Sequence, residues 1–253
     1  MSATAHSHTN LKGSVQMASQ TYTISADDSI QIIASLPAIR HAILHAMSLH
    51  GDAIMREIAL FDNARRATPT RWAKLCMVKA IMSPGAKLSA NIAASHVLYS
   101  HVVTCSLNSF EQVKDLLTGT SYGCITYGKN VNTLLDKQSA IAAITPYDMT
   151  WDGISHVFKG FKTRSWALAL YNAYNDVFTL DRHMLRGLLT LANIFPTQED
   201  VSICKSRYTK LARFMLDLSE EMYPMYPPLC IQWALWNEFR HPGKHASHAD
   251  LAR

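Results

Sequence analysis

Apolar positions recur along most of this chain at intervals of three and four, the period of an amphipathic helix, and no run alternates long enough to predict sheet. Ile39, Ile43 and Met47 are spaced by four and lead to Gly51, which predicts a helix closed by a glycine C-cap. Upstream, Ser25 followed three positions later by Asp28 is a capping-box signature; it opens a first helix that Pro37 kinks or restarts. Further helices are expected at about 52–63, 70–82, 87–101, 110–117, 130–143, 163–174, 182–192, 198–221 and 228–239. The stiff turn from Tyr223 to Pro228 precedes an aromatic segment, Gln232 to Trp236, that is expected to close the core. The pattern therefore predicts an all-α fold of two helical lobes. About residues 70–180 form one lobe, and the N- and C-terminal segments form the other. Residues 1–22 read as a disordered tail, 242–253 as a mobile one, and 23–241 as the helical domain between them.

Composition narrows the class. With 253 residues, 48% of them hydrophobic and 17% charged, the chain can bury a substantial core, which excludes a disordered protein. The longest apolar runs, near Ile141–Ile144 and Leu188–Ile194, are too short to span a bilayer, and Met1 to Thr21 lacks the apolar core of a secretory signal. No membrane partner is expected. The five cysteines, Cys76, Cys105, Cys124, Cys204 and Cys230, include no CxxC pair; they read as reduced core thiols rather than a disulfide, zinc or iron–sulfur framework. His41, His45 and His50 lie near one helix without a carboxylate in metalloprotease register, and read as solvated histidines. Neither a metal nor a cofactor is expected.

The net charge of +5 and the pI near 8.9 are compatible with a polyanionic partner. Their distribution is more informative: Lys159, Lys162, Arg164, Arg182 and Arg186 outnumber Asp176 and Asp181 within one short segment. From Trp151 to Tyr171 that segment reads as helix, glycine hairpin at Gly160, and helix. The run Thr179-Leu180-Asp181-Arg182-His183 then sets a carboxylate at the N-cap of the next helix, where the helix dipole favours negative charge. A hairpin of this kind can offer backbone N–H groups to a DNA phosphate regardless of sequence.

The hairpin, Lys162-Thr163 and Leu180-Asp181-Arg182-His183 together resemble the signature of the helix-hairpin-helix DNA glycosylases, the HhH-GPD superfamily, and particularly the branch acting on 8-oxoguanine. The separation of Lys162 from Asp181 keeps that family's nucleophile-to-aspartate spacing. The resemblance runs from about Ile81 to Arg186 and is strongest from Phe158 to Arg186; Ile81 to Asn91 is similar to the family's loop and helix that enter the duplex where the target base leaves.

This resemblance implies a two-lobed glycosylase acting as a monomer on double-stranded DNA, in the cytoplasm at the nucleoid. It implies Asp181 and Lys162 as catalytic residues, with Asp181 stabilising positive charge on the sugar as the N-glycosidic bond breaks. Lys162 would attack C1′ through a neutral amine, which burial beside other cations favours, forming a Schiff base that leads to β-elimination. The nucleotide must first be flipped out of the duplex, at a cost of about a few kcal/mol. DNA contacts fall to Lys159, Gly160, Phe161, Thr163 and Arg164 at the hairpin, to Ser83, Gly85, Lys87 and Asn91 upstream, and to Arg182 and His183. Phe161, Trp151, Trp166 and Trp233 are the candidates to stack on the flipped base.

The chain departs from the family in one respect: the usual hairpin has two glycines flanking an apolar residue, whereas here only Gly160-Phe161 precedes Lys162. Either the hairpin is shortened and Lys162 is the nucleophile, or Lys162 occupies the second glycine's position, touches phosphate, and Asp181 activates water in a monofunctional enzyme. A DNA-binding module without chemistry and a scaffold that modifies bases instead of removing them are the rival classes. By analogy, the divergent hairpin points to a specialised substrate such as the hypermodified bases of phage DNA, hence to an antiviral defence role.

Overall fold

The computed structural model describes residues 21–84, 86–123, 126–198, 200–240 and 242–252. Gly85, Cys124 and the expected tail as far as Gln20 lie outside the described residues. Among the described residues the fold is all-α apart from one pair of short strands. Thr21–Thr23 (β1) and Asp200–Ser202 (β2) pair in parallel, Tyr22 opposite Val201, so the last two residues assigned to the tail are tied down. The helices are α1 (Ala26–Ala34), α2 (Leu36–Ala67), α3 (Pro69–Met82), α4 (Leu88–Val103), α5 (Phe110–Leu117), α6 (Tyr127–Ala143), α7 (Phe161–Tyr171), α8 (Arg182–Leu191), α9 (Lys205–Met222) and α10 (Pro228–Arg240).

Several boundaries follow from local chemistry. The Ser25 hydroxyl accepts from the Asp28 amide at 3.0 Å while the Asp28 carboxylate accepts from the Ser25 amide at 2.7 Å, a reciprocal capping box that starts α1. Pro37 sits in the first turn of α2, where its missing N–H is harmless, and the two helices meet at a 64° bend. No single helix is long and apolar enough to cross a membrane, among the described residues.

The expected C-cap at Gly51 is corrected: α2 runs straight through it for 32 residues. Gly51 is buried, with its carbonyl 3.8 Å from the Cys230 sulfur of α10, and burial of α2 against α10 outweighs the roughly 1 kcal/mol helical penalty of glycine. The helix expected from 198 starts at Lys205, because Asp200–Ser202 is claimed by β1. The first arm of the expected hairpin is also shorter than a helix. Residues 151–157 form successive turns, with Ile154 N–H donating to Thr150 O at 3.2 Å and Phe158 N–H to Ile154 O at 3.0 Å.

Buried side chains fall into two clusters. One joins α1, α2, α8, α9 and α10 through residues such as Ile43, Ile58, Leu188, Leu211 and Trp233; the other joins α4, α5 and α6 through Leu98, Val113 and Leu134. Helices α3 and α7 serve both. Trp72 and Cys76 of α3 face the first cluster and Ala73 and Met77 the second, while Leu170 and Ala167 of α7 divide in the same way.

The C-terminal segment is not the mobile tail the sequence suggested. Leu251 is fully buried, and Glu57 of α2 accepts from His245 Nε2 at 2.6 Å and from the His248 amide at 2.8 Å. Asn237 of α10 accepts from the Ala246 amide at 2.9 Å. A buried carboxylate with these partners is the reason a polar-looking segment docks.

Where α8 meets α10, Gly187 lies directly against Phe239: a Cβ at Gly187 would overlap the Phe239 ring. Gly187→Ala is therefore expected to cost about 1–3 kcal/mol in urea unfolding, and Gly187→Ala with Phe239→Leu to recover most of it. Equal losses in the single and double variants would show that the contact is not the constraint.

Candidate active site

Asp181 is fixed by the start of α8. Its backbone is extended, its Oδ1 accepts from the amides of His183 and Met184, each at 2.9 Å, and its Oδ2 accepts from Trp236 Nε1 of α10 at 3.1 Å. The N-cap role expected from sequence is therefore present. An indole donor was not foreseen, because nothing in the sequence reveals that Trp236 crosses to α8. Two backbone amides at a helix N-terminus and a tryptophan N–H orient this carboxylate rigidly.

A cavity of about 500 Å³ opens between the two clusters, lined by α3, the following loop, α4 and the first turns of α7 together with α8, α10 and the C-terminal segment. Lys162 and Asp181 both line it, and the charges of both act on the His183 imidazole, which lines it too. His183 is held below the ordinary histidine value, first by burial, with the cations Arg240, Arg182 and Lys162 adding and Asp181 opposing. Lys162 itself is exposed at the rim, so the burial expected of it is not found.

The buried amine of the cavity is a residue that the sequence reading passed over, Lys79 of α3. It is 2% exposed, its ammonium donates to the Asn91 carbonyl oxygen, and burial pushes its pKa down to about 7. One signal was available: Lys79 is the lone charge in the apolar run from Leu75 to Met82. Trp166, Trp233 and His248 form the aromatic wall. Trp233 stacks on His248 with centroids 4.1 Å apart and planes 7° from parallel, and Trp166 meets both edge-on. The Trp166 indole donates to the Ser83 hydroxyl at 3.1 Å, fixing it against the loop after α3.

The other expected site residues divide. Thr163, Ser83, Lys87, Arg182 and His183 line the cavity with Lys162 and Asp181, as do Trp166 and Trp233. Lys87 is exposed, and Arg182 pairs with Asp200 at 3.2 Å. Asn91 is corrected from a DNA contact to an interior residue, 1% exposed, because the first turn of α4 aims it at Lys79. Trp151 and Phe161 are corrected as base-stacking candidates. They pack on each other at 5.4 Å outside the cavity lining, with the Arg164 guanidinium 4.8 Å over Trp151 and the Lys205 ammonium 4.7 Å over Phe161. Arg164 also donates twice to the Phe158 carbonyl, at 3.1 and 2.6 Å, so it braces the hairpin from within instead of presenting itself to phosphate.

Lys159 and Gly160 are exposed ahead of α7, whose first turn has no side-chain cap, and Gly85 lies outside the described residues. The histidines expected to be solvated include a buried one: His50 is 3% exposed, 3.5 Å from Glu238 Oε2 and stacked on His245. Cys76 and Cys230 are buried free thiols, whereas Cys105 and Cys204 are exposed rather than in the core. Among the described residues no cluster of His, Cys, Asp or Glu is arranged to hold a metal ion.

No family model matches the chain, and neither a curated protein nor a solved structure matches it significantly.

Burial above all, then the charges of Lys79, His245 and Arg240, hold His248 well below the ordinary histidine value. Below about pH 6.5 the unfolded chain therefore binds a proton that the folded one refuses, and stability falls as the pH is lowered through that range. His248→Phe, which keeps an aromatic stack on Trp233, is expected to narrow the difference in melting temperature between about pH 7.5 and about pH 5.5. An unchanged difference would place the acid sensitivity elsewhere.

Proposed function

We propose that the chain is a helix-hairpin-helix DNA glycosylase that flips a damaged or hypermodified base into the cavity and cleaves its N-glycosidic bond. One observation carries this reading: the lysine just past the glycine turn and the aspartate heading the next helix open into the same cavity, between two separately packed cores. The cavity, at about 500 Å³, lies within the roughly 300–1,000 Å³ typical of small-molecule sites. It has room for a base bearing a bulky substituent, in keeping with a defence against phage DNA that carries modified bases. Around it stand Lys87, Lys162, Arg182 and Arg240, and the uncapped start of α7 offers backbone N–H groups, the combination a phosphate backbone needs.

In this reading Asp181, held by three N–H donors, faces the sugar and stabilises its developing positive charge. Lys162, at the rim, is covered when duplex DNA seats, and attacks C1′ to give a Schiff base and then β-elimination. Its exposure in the free chain favours one alternative, in which Lys162 contacts phosphate and Asp181 activates water. Both versions act on duplex DNA as a monomer and need no cofactor.

Duplexes carrying 8-oxoguanine, uracil, alkylated purines, and hydroxymethylated or glucosylated cytosine test the reading through base release. Asp181→Asn is expected to lower release by at least about 100-fold, while binding to an abasic-analogue duplex persists. Borohydride is expected to trap the wild type but not Lys162→Gln on a cleaved substrate. Excision without trapping selects the water mechanism, and no release from any duplex removes the glycosylase reading.

A further inference from the structure

The chemistry assigned to Lys162 and Asp181 leaves Lys79 unused, and the inference drawn from it rests on the glycosylase reading of the cavity. A buried ammonium without a carboxylate is costly, and chains keep one where it has work to do. Lys79 has three N–H donors, and among the described residues its only side-chain acceptor is the Asn91 carbonyl oxygen. No ion pair among the described residues includes it; Cys76 on its own helix acts on its titration, and its charge acts on that of His248 on the C-terminal segment. Lys162 on α7, Asp181 and His183 on α8 and Arg240 on α10 line the same cavity.

Position argues against Lys79 as the nucleophile. Lys162 is exposed at the rim and Lys79 is 2% exposed at the floor, so a nucleotide that enters base first leaves its sugar with Lys162 and Asp181 and brings its base edge to Lys79. The other polar groups near the floor are weighted toward donors. The Gln232 carbonyl is occupied by the Thr179 amide at 2.6 Å, leaving its NH₂ group, and the Trp233 indole N–H is buried without an acceptor. The Thr179 hydroxyl and His248 Nδ1, also buried and unpartnered, can serve either sign.

We propose that Lys79, steered by Asn91, determines specificity by donating hydrogen bonds to a carbonyl edge of the extruded base, so that the site selects keto-bearing over amino-bearing bases. A base that offers an exocyclic amine there would leave the remaining donors of the Lys79 ammonium unsatisfied in a closed site, a large penalty for the wrong ligand. The ammonium form is the competent one, and the pKa near 7 makes selection pH-sensitive in the neutral range.

The test compares wild type with Lys79→Met, which keeps length and apolar bulk. Substrates are duplexes containing hypoxanthine, uracil, 8-oxoguanine or 5-hydroxymethylcytosine, with a tetrahydrofuran abasic-analogue duplex as the base-free control. Lys79→Met is expected to lower excision of the preferred keto-bearing base by roughly 10–100-fold, to flatten the keto-over-amino preference, and to bind the abasic analogue like wild type. Wild-type excision should decline as the pH rises past about 7, and that limb should vanish in the variant. Relief from a buried charge and loss of the Asn91 carbonyl's ammonium donor oppose each other in the variant, so its melting temperature should stay close to that of wild type.

Undiminished excision by Lys79→Met, with an active wild type, overturns the role of Lys79 alone. Loss of abasic-analogue binding together with the loss of excision assigns Lys79 to the fold and also overturns it. A wild type that excises nothing from these duplexes or from the wider panel removes the reading of the cavity, and this role with it.

Discussion

Two helices, α3 and α7, must each bury two opposite faces, and the rest of the molecule is arranged around that constraint. Cys76 and Leu170 look into the core built by α2 and α10, while Met77 and Ala167 look into the core built by α4 and α6. A helix that is apolar on both faces can satisfy them only between two bodies. The surfaces on either side do not close on each other where α3 carries Lys79 and α7 carries Lys162, and the cavity is the gap that remains. Lys79 lies near the end of α3 and Lys162 in the first turn of α7, so the two amines belong to the same shared wall.

The opposite wall is held by a different kind of interaction. Asp181 both caps α8 and receives the Trp236 indole, so one carboxylate sets the angle between α8 and α10. From α10, Trp233 continues the wall inward to His248, and Glu57 of α2 secures the segment that carries His248. A chain of directional contacts thus links a carboxylate at the rim to a histidine in the interior, and the site's shape depends on polar geometry that apolar packing alone would leave loose.

The legible part of this arrangement was local. The capping box at Ser25, the restart at Pro37, the aspartate N-cap at α8 and the helical period of most segments depend on residues within a few positions of each other, and these were read from sequence. Gly51 was misread because a glycine's meaning depends on what crosses it, here α10, far away in sequence. Trp151 and Phe161 were taken for pocket residues because aromatic side chains next to a hairpin look alike whether they face a ligand or each other. The pairing of Lys79 with Asn91 is hidden for the same reason: it joins α3 to α4 across a loop, and a lysine in an apolar helix reads as snorkelling to solvent until burial is known.

The C-terminal segment carries the last step of the argument. Its composition is that of a tail, yet without it the aromatic wall would lose the ring that covers Trp233, and Glu57 would be left buried with neither His245 nor the His248 amide. An unpaired buried carboxylate is far more costly than a lost surface contact, so α2 holds this segment in place. The same segment brings His248 toward Lys79, whose charge adds to burial in holding the imidazole below its ordinary value. The cavity therefore concentrates groups that the fold alone would expel: an unpaired ammonium, a neutral histidine and an indole N–H without an acceptor. Folding stability gains nothing from such a set, and that surplus of unsatisfied polarity is what motivates the ligand-binding role proposed for the cavity.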